Sequence, residues 1–167
     1  LSALVHDVDH VGVSNYQLVK EESPLAGLYK NQSVAEQNSV EIAWWLLMTP
    51  NFSALRDAIY SNAVEKRRLR QLLVNSVIST DILDRDLKVH RDRRWNKAFH
   101  KKTTSKLPEK VKIKDIQATV VIEHMMQAAD SAHTMQNFRT YLKWNERLFE
   151  EMYQAYHDGR AEKDPSK

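Results

Sequence analysis

From Ser33 onward the apolar residues recur at intervals of three and four, the period of helices with one buried face, and no stretch alternates in the twos of a half-buried strand. Ser33-Val34-Ala35-Glu36 matches the Ser-x-x-Glu capping box, in which two side chains satisfy N–H groups left free at a helix start, and predicts a helix to about Met48. Thr49-Pro50-Asn51 breaks it. Ser53 then caps a short helix whose Leu55, Ala58 and Ile59 keep helical spacing. Between Val64 and about Ile78, Leu69, Leu72, Leu73, Ser76 and Val77 form an apolar face, with Glu65, Lys66, Arg67, Arg68 and Arg70 on the wet one.

Ser79-Thr80-Asp81 offers three capping side chains in a row and marks a boundary, after which a polar helix runs through Leu83 and Leu87 to Trp95 or Phe99. Residues 100–112, with Thr103-Thr104-Ser105 and Pro108 among lysines, read as a solvated loop. A fifth helix is expected from about Ile113 to Ala129, with Ile116, Val120, Ile122 or Glu123, and Met126 on a largely apolar, central surface. The last, from Asn137 to His157, spaces Tyr141, Trp144, Leu148 and Met152 by three and four, with Gly159 as its natural end. The Trp44-Trp45 and Met125-Met126 pairs read as core packing. The fold class that follows is all-α, a compact multi-helix bundle.

Composition narrows the chemistry. The 167 residues suit one domain, and three glycines with four prolines are too few for disorder or a turn-rich sandwich. Without cysteine there is no disulfide framework, thiolate nucleophile or cysteine zinc site, so a metal would need His, Asp or Glu. Residues 85–112 hold 11 of the Lys and Arg and 3 of the Asp and Glu, a net +8 against −5 elsewhere. Clustered basic residues bind phosphate backbones, and Trp95 and Phe99 suit base stacking. The block contains no recognisable nucleic-acid motif, however, and reads better as a solvated or partner-docking face. No apolar run approaches the length of a membrane span, and the expected location is cytoplasmic. The chain starts inside an element at Leu1, as a fragment would.

The densest chemistry is His6-Asp7-Val8-Asp9-His10. On a helix, His6 and His10 would share a face at the spacing zinc helices use, and the carboxylates suit a harder second cation. Alone, that spacing leaves a surface or capping role equally open. His6 and Asp7 would point about 100° apart on a regular helix, so both reach one ion only near a helix end, and Gly12, Val13, Ser14 and Asn15 signal a turn. A two-cation hydrolytic site needs further oxygen ligands. Asp130, after Ala128-Ala129, is the best candidate, though by itself it reads better as an exposed helix-end aspartate. Glu36 is explained by its capping box, and a capped Glu can also hold a metal-bound water.

The stretch Leu4 to Asn15, followed by Asn31-Gln32-Ser33-Val34-Ala35-Glu36, resembles the catalytic domain of the class I 3′,5′-cyclic nucleotide phosphodiesterases. Ser79-Thr80-Asp81-Ile82, Ala129-Asp130-Ser131-Ala132-His133 and the segment Tyr141 to Glu151 agree in order and spacing. The resemblance covers nearly the whole chain, so residues 1–167 read as the central part of such a domain. It implies an all-helical pocket with two divalent cations, zinc at the tighter site and magnesium or manganese at the other. His6, Asp7 and Asp130 match three of the four protein ligands of the zinc-like site, with Asp7 also bridging to the second ion. His10, Glu36 and Thr80 match residues that hold the waters of that second ion. Ile82, His133, Tyr141, Trp144 and Leu148 match pocket positions.

The implied reaction is hydrolysis of cAMP, cGMP or both to 5′-nucleotides in second-messenger signalling, water attacking the phosphate in line while a histidine protonates the departing O3′. That histidine belongs to an H-N-x-x-H-A motif upstream of the His6 match, which also supplies the fourth ligand; neither it nor the downstream purine-clamp glutamine is in this chain, so the chain alone is expected to have little or no activity. Two departures stand out. Many members carry histidines where this chain has Asn38 and Ser39, and His133 stands where some carry an asparagine that reads the purine. A catalytically inactive helical interaction or nucleotide-binding module is the competing reading, and a homodimer is left open.

Overall fold

The computed structural model describes residues 1–100 and 107–161, with the backbone alone for 107–112. Among these residues there are nine α-helices and no strand: α1 (Ser2–Val5), α2 (Asn15–Lys20), α3 (Pro24–Leu28), α4 (Val34–Met48), α5 (Ser53–Ile59), α6 (Ala63–Ile78), α7 (Arg85–Trp95), α8 (Leu107–Ser131) and α9 (Phe138–His157). Short 3-10 turns at Pro50–Phe52 and Ala132–Met135 precede α5 and α9, and a π-turn at Asn96–His100 follows α7. The all-α expectation holds.

The helix α4 lies between two apolar clusters. Its first turn, Val34 and Ala35, packs with Val13, Leu18 and Ala26; further along, Val40 packs with Leu73 and Val77 of α6, closed over by Val5, Trp44 and Val74. Val13, Leu18, Val34, Val40, Leu73 and Val77 leave water nearly completely, which contributes about 1.5–3 kcal/mol for a valine or leucine. The α6 face is legible in sequence except for Leu72, which stays largely exposed. Trp44 is half-buried with Lys66 and Arg70 over its ring, whereas Trp45 is 70% exposed, and Met126 is buried while Met125 is not. Adjacent residues on a helix point about 100° apart, so of each pair only one reaches the core.

Several boundaries differ from the sequence pattern. Helices α2 and α3 span less than two turns and carry no period to read; they are marked instead by Ser14, whose hydroxyl accepts from Gln17 N–H, and by Ser23 ahead of Pro24. Phe52 rather than Ser53 precedes α5, because the chain is already turning through Pro50–Phe52. The polar helix is capped by Asp84, which accepts from the N–H groups of Asp86 and Leu87. The expected loop at 100–112 is helical from Leu107, with Pro108 in the first turn where its missing N–H costs nothing; residues 101–106 lie outside the described residues.

The helix α9 is the main departure. It is strongly amphipathic and starts and stops as expected, with Asn137 accepting from Arg139 N–H. At its end Gly159 takes φ +70° while Arg160 N–H bonds Ala155 O and Gly159 N–H bonds Tyr156 O, the Schellman arrangement. Its apolar face does not pack into the core: Trp144 and Leu148 are 50% and 48% exposed, Tyr141 is half-buried and Met152 is exposed. The helix meets the body through Ala155, which touches the first cluster, and through Arg160, which grips Glu21 with two 2.8 Å bonds.

Candidate metal centre and adjoining cleft

The helix α1 ends at Val5, and the chain then turns through residues 6–9, with Asp9 in the left-handed region at φ +63°. His6 and His10 therefore do not share a helix face. The turn instead brings His6 and Asp7 to the end of α8, where Asp130 projects. His6 Nε2 stands 3.1 Å from Asp7 Oδ2 and 3.2 Å from Asp130 Oδ1, and all three ligand atoms lie within 4.8 Å of one another. Because α1 ends at Val5, His6 and Asp7 both reach the same point.

The charge balance of this group is informative. His6 Nδ1 is 3.0 Å from Ala3 O, and a carbonyl only accepts, so Nδ1 carries the ring proton. A neutral imidazole then offers the lone pair of Nε2 toward two carboxylates, an arrangement that requires a positive charge among the three. A proton on Nε2 supplies one; a divalent cation supplies a larger one, and ligands about 2.1 Å from a shared ion stand roughly 3–3.4 Å apart. One imidazole with two carboxylates, partly open to solvent, is a donor set suited to such a cation.

Beyond this group lies a cleft of about 510 Å³ lined by His10, Asn15, Glu36, Thr80, Asp81 and Ile82, among others. Its floor is a polar network. Asn15 Nδ2 donates to Glu36 Oε2 at 2.8 Å and to Asp81 Oδ2 at 3.2 Å, while Asn15 Oδ1 accepts from Ala35 N–H at 2.9 Å. Ser33 Oγ donates to Asp81 Oδ2 at 2.8 Å, and Asp84 N–H reaches Asp81 Oδ1. The capping box expected at Ser33 and Glu36 is thus absent. Ser33 adopts φ +39°, within a loop that also turns left-handed at Lys30 and Asn31, and makes no side-chain cap. Asn15 caps α4 in its place from twenty residues upstream.

Freed from capping, Glu36 presents its carboxylate to the cleft. Burial pushes its carboxyl above the usual carboxylate range; the Asn15 amide and His10 pull the other way, and Asp81 adds to the rise. His10 Nδ1 accepts from Gly12 N–H at 3.2 Å, which leaves Nε2 to carry the proton in the neutral ring. Thr80 gives its hydroxyl proton to Val77 O at 2.7 Å, so its oxygen lone pairs are free to accept.

The structure brings His6, Asp7 and Asp130 together, and His10, Glu36, Thr80 and Ile82 around the cleft. His133 sits exposed on the 3-10 turn beside the site, its Nδ1 3.1 Å from Asp130 O. Tyr141, Trp144 and Leu148 do not join it, since no described residue of α9 lines this cleft. Asn38 donates to Asp9 Oδ2 at 2.9 Å and Ser39 to Val8 O at 2.7 Å, so the first of the two departures named above pins the turn that carries His6 and Asp7. Asn15 and Asp81 are the organising residues that sequence reasoning passes over: each reads as an ordinary turn or cap signal, and nothing local reveals partners 66 residues apart.

Comparison with known proteins identifies the family and the fold. The family model for 3′5′-cyclic nucleotide phosphodiesterase matches residues 1–166. A probable 3′,5′-cyclic-AMP phosphodiesterase of Caenorhabditis elegans is 29% identical over 156 residues, 89% of this chain and 21% of that protein. The 3′,5′-cyclic-AMP phosphodiesterase 4C of Mus musculus is 27% identical over 157 residues, 90% of this chain and 21% of that protein. The chain spans about a fifth of the length of these relatives. Crystal structures of the phosphodiesterase domain of a rhodopsin phosphodiesterase from Salpingoeca rosetta superpose with a TM-score of 0.74 at 21% and 24% identity; each covers 93% of this chain, which covers 46% and 44% of theirs. They share its fold. No described helix is long and apolar enough to cross a membrane. On the family match over residues 1–166, the chain belongs to the 3′,5′-cyclic nucleotide phosphodiesterase family.

Proposed function

We propose that the protein containing this chain hydrolyses 3′,5′-cyclic nucleotides, cAMP or cGMP or both, to 5′-nucleotides, using two divalent cations. The observation that carries the reading is the convergence of His6 Nε2 with Asp7 and Asp130 at 3.1 and 3.2 Å, a group that needs a positive charge at its centre. His6, Asp7 and Asp130 would hold the zinc-like ion. Asp7, exposed on one side, would also face the second, magnesium or manganese, across the opening of the cleft. Two such ions together screen the charge that develops on the phosphate and lower the pKa of water.

The remaining residues act on water and on position. His10 Nε2–H donates and the Glu36 carboxylate accepts; with the Thr80 oxygen they orient water molecules at the second-ion side of the cleft. The Asn15 amide holds Glu36 and Asp81 in one geometry. His133, on the turn next to Asp130, and Ile82 at the cleft edge are the positions for contact with the nucleotide.

The test is release of 5′-AMP and 5′-GMP from the cyclic nucleotides by the full-length protein with Mg²⁺ or Mn²⁺ present, wild type against Asp7→Ala. Turnover that the substitution abolishes is expected. Binding of cyclic nucleotide without turnover in the wild type would favour the inactive-module reading.

A further inference from the structure

The basic helix α7 reaches the wall of the cleft through one guanidinium. Arg91 Nη1 donates to the carbonyl oxygens of Asp81 at 3.1 Å and Ser79 at 3.4 Å, and Gln127 Nε2 of α8 donates to the same Ser79 oxygen at 2.7 Å. These carbonyls follow the end of α6, where backbone acceptors have no partner within the helix and a cation meets the negative end of its dipole. One turn further along α7, Arg94 Nη1 stands 2.8 Å from Glu123 Oε1, on a glutamate side chain of α8 that is 2% exposed. The segment from Ser79 to Asp81 is therefore gripped from both sides. Ser33 and Asn15 hold the Asp81 side chain, and α7 and α8 hold its main chain.

Thr80 lies between the two carbonyls that Arg91 holds, and both Thr80 and Asp81 line the cleft. We propose that Arg91 is a positioning residue for the second-cation side of the site, fixing the Ser79–Asp81 main chain so that Thr80 and the Asp81–Asn15–Glu36 network keep one geometry. The inference rests on the two-cation reading given above. It explains part of the basic block as internal bracing: Arg91 and Arg94 are engaged within the fold, whereas neighbouring Arg93 on the same helix is exposed.

The probe is Mn²⁺, followed by the paramagnetic resonance of the free ion, in zinc-loaded full-length protein: wild type, Arg91→Gln, Arg91→Lys and the control Arg93→Gln. Arg91→Gln is expected to weaken Mn²⁺ binding about 10-fold, within the range for groups that orient a metal site from outside it, and to leave zinc retention unchanged. Arg91→Lys, which keeps the charge on a shorter side chain, recovers part of the loss, and Arg93→Gln behaves as wild type. Equal Mn²⁺ affinity in wild type and Arg91→Gln, or parallel loss of zinc and Mn²⁺, overturns the proposal. A wild type that binds zinc but no Mn²⁺, or neither ion, overturns the two-cation reading and the proposal with it. Should Arg91→Gln lose its helical circular dichroism, Arg91→Lys decides: reduced Mn²⁺ affinity supports the role and wild-type affinity overturns it.

Discussion

Two acidic clusters stand at the two ends of the loop from His6 to Asn15, and they are built in opposite ways. At the first, Asp7 and Asp130 face His6 in a partly open setting where the only nitrogen between them offers a lone pair. At the second, Glu36 and Asp81 are withdrawn from solvent and bonded by neutral donors, the Asn15 amide and the Ser33 hydroxyl. The first cluster needs a positive charge at its centre. The second is complete as a scaffold, its carboxylates held in place by the protein, and Glu36 stays available at the cleft surface. A fold that hydrolyses a phosphodiester with two ions needs both kinds of construction: ligands gathered around a shared positive charge, and a rigid wall that orders water beside it.

The contrast is sharpest in how each cluster should respond to metal. Zinc at about a thousand times its dissociation constant should stabilise the protein by about 4 kcal/mol, and Asp7→Ala should abolish that gain; thermal unfolding with and without zinc measures it. Next in size, Asn15→Ala removes the donor to a buried and a half-buried carboxylate and the cap on Ala35 N–H. It should cost about 3 kcal/mol in the metal-free protein, read from urea unfolding in a chelator, while Asp130→Asn under the same conditions should cost little.

A smaller effect separates the clusters by pH. The Glu36 carboxyl is raised from 4.5, mainly by burial, so between 4.5 and its higher folded value the folded state binds more protons than the unfolded one. Its contribution is present below 4.5 and is lost as pH rises through that window. Glu36→Gln should therefore flatten the fall of metal-free stability with rising pH. The smallest effect has the opposite sign. Glu21, brought down from 4.5 to about 2 chiefly by its hydrogen bond with Arg160, contributes stability above 4.5 that is lost as pH falls toward 2. Arg160→Ala should loosen the end of α9 at neutral pH, seen as faster amide exchange near Ala155, and have little effect once the pH has fallen through about 2.

What the sequence made legible follows from how local each signal is. The helices α4, α6 and α9 span 15 to 20 residues, long enough for a period to emerge, whereas α2 and α3 are too short to show one. The Ser33-x-x-Glu36 pattern was misread because the main chain at Ser33 turns left-handed, which the loop from Lys30 imposes and the four residues do not announce. The apolar stripe of α9 predicted burial of Trp144 and Leu148, yet a stripe fixes only which side is apolar; what covers it is a tertiary matter. In the site, His6, Asp7 and Asp130 are candidates by residue type, and it is the ordered motifs that join them into one set; the spacing of four between His6 and His10 points to a helix face that does not exist. Asn15 and Asp81 act through partners far away in sequence, and Arg91 reaches across a helix boundary to main-chain oxygens that no side-chain pattern marks.

The central claim is that His6, Asp7 and Asp130 are one cation site. Titrating zinc into the wild-type protein and into Asp130→Asn, in competition with a chromophoric chelator, tests it most directly. The account predicts that the wild type withholds one tightly bound zinc per chain from the chelator and that the variant gives it up, with the helical circular dichroism of both unchanged. Zinc that the wild type fails to retain, or that Asp130→Asn retains equally well, would contradict it.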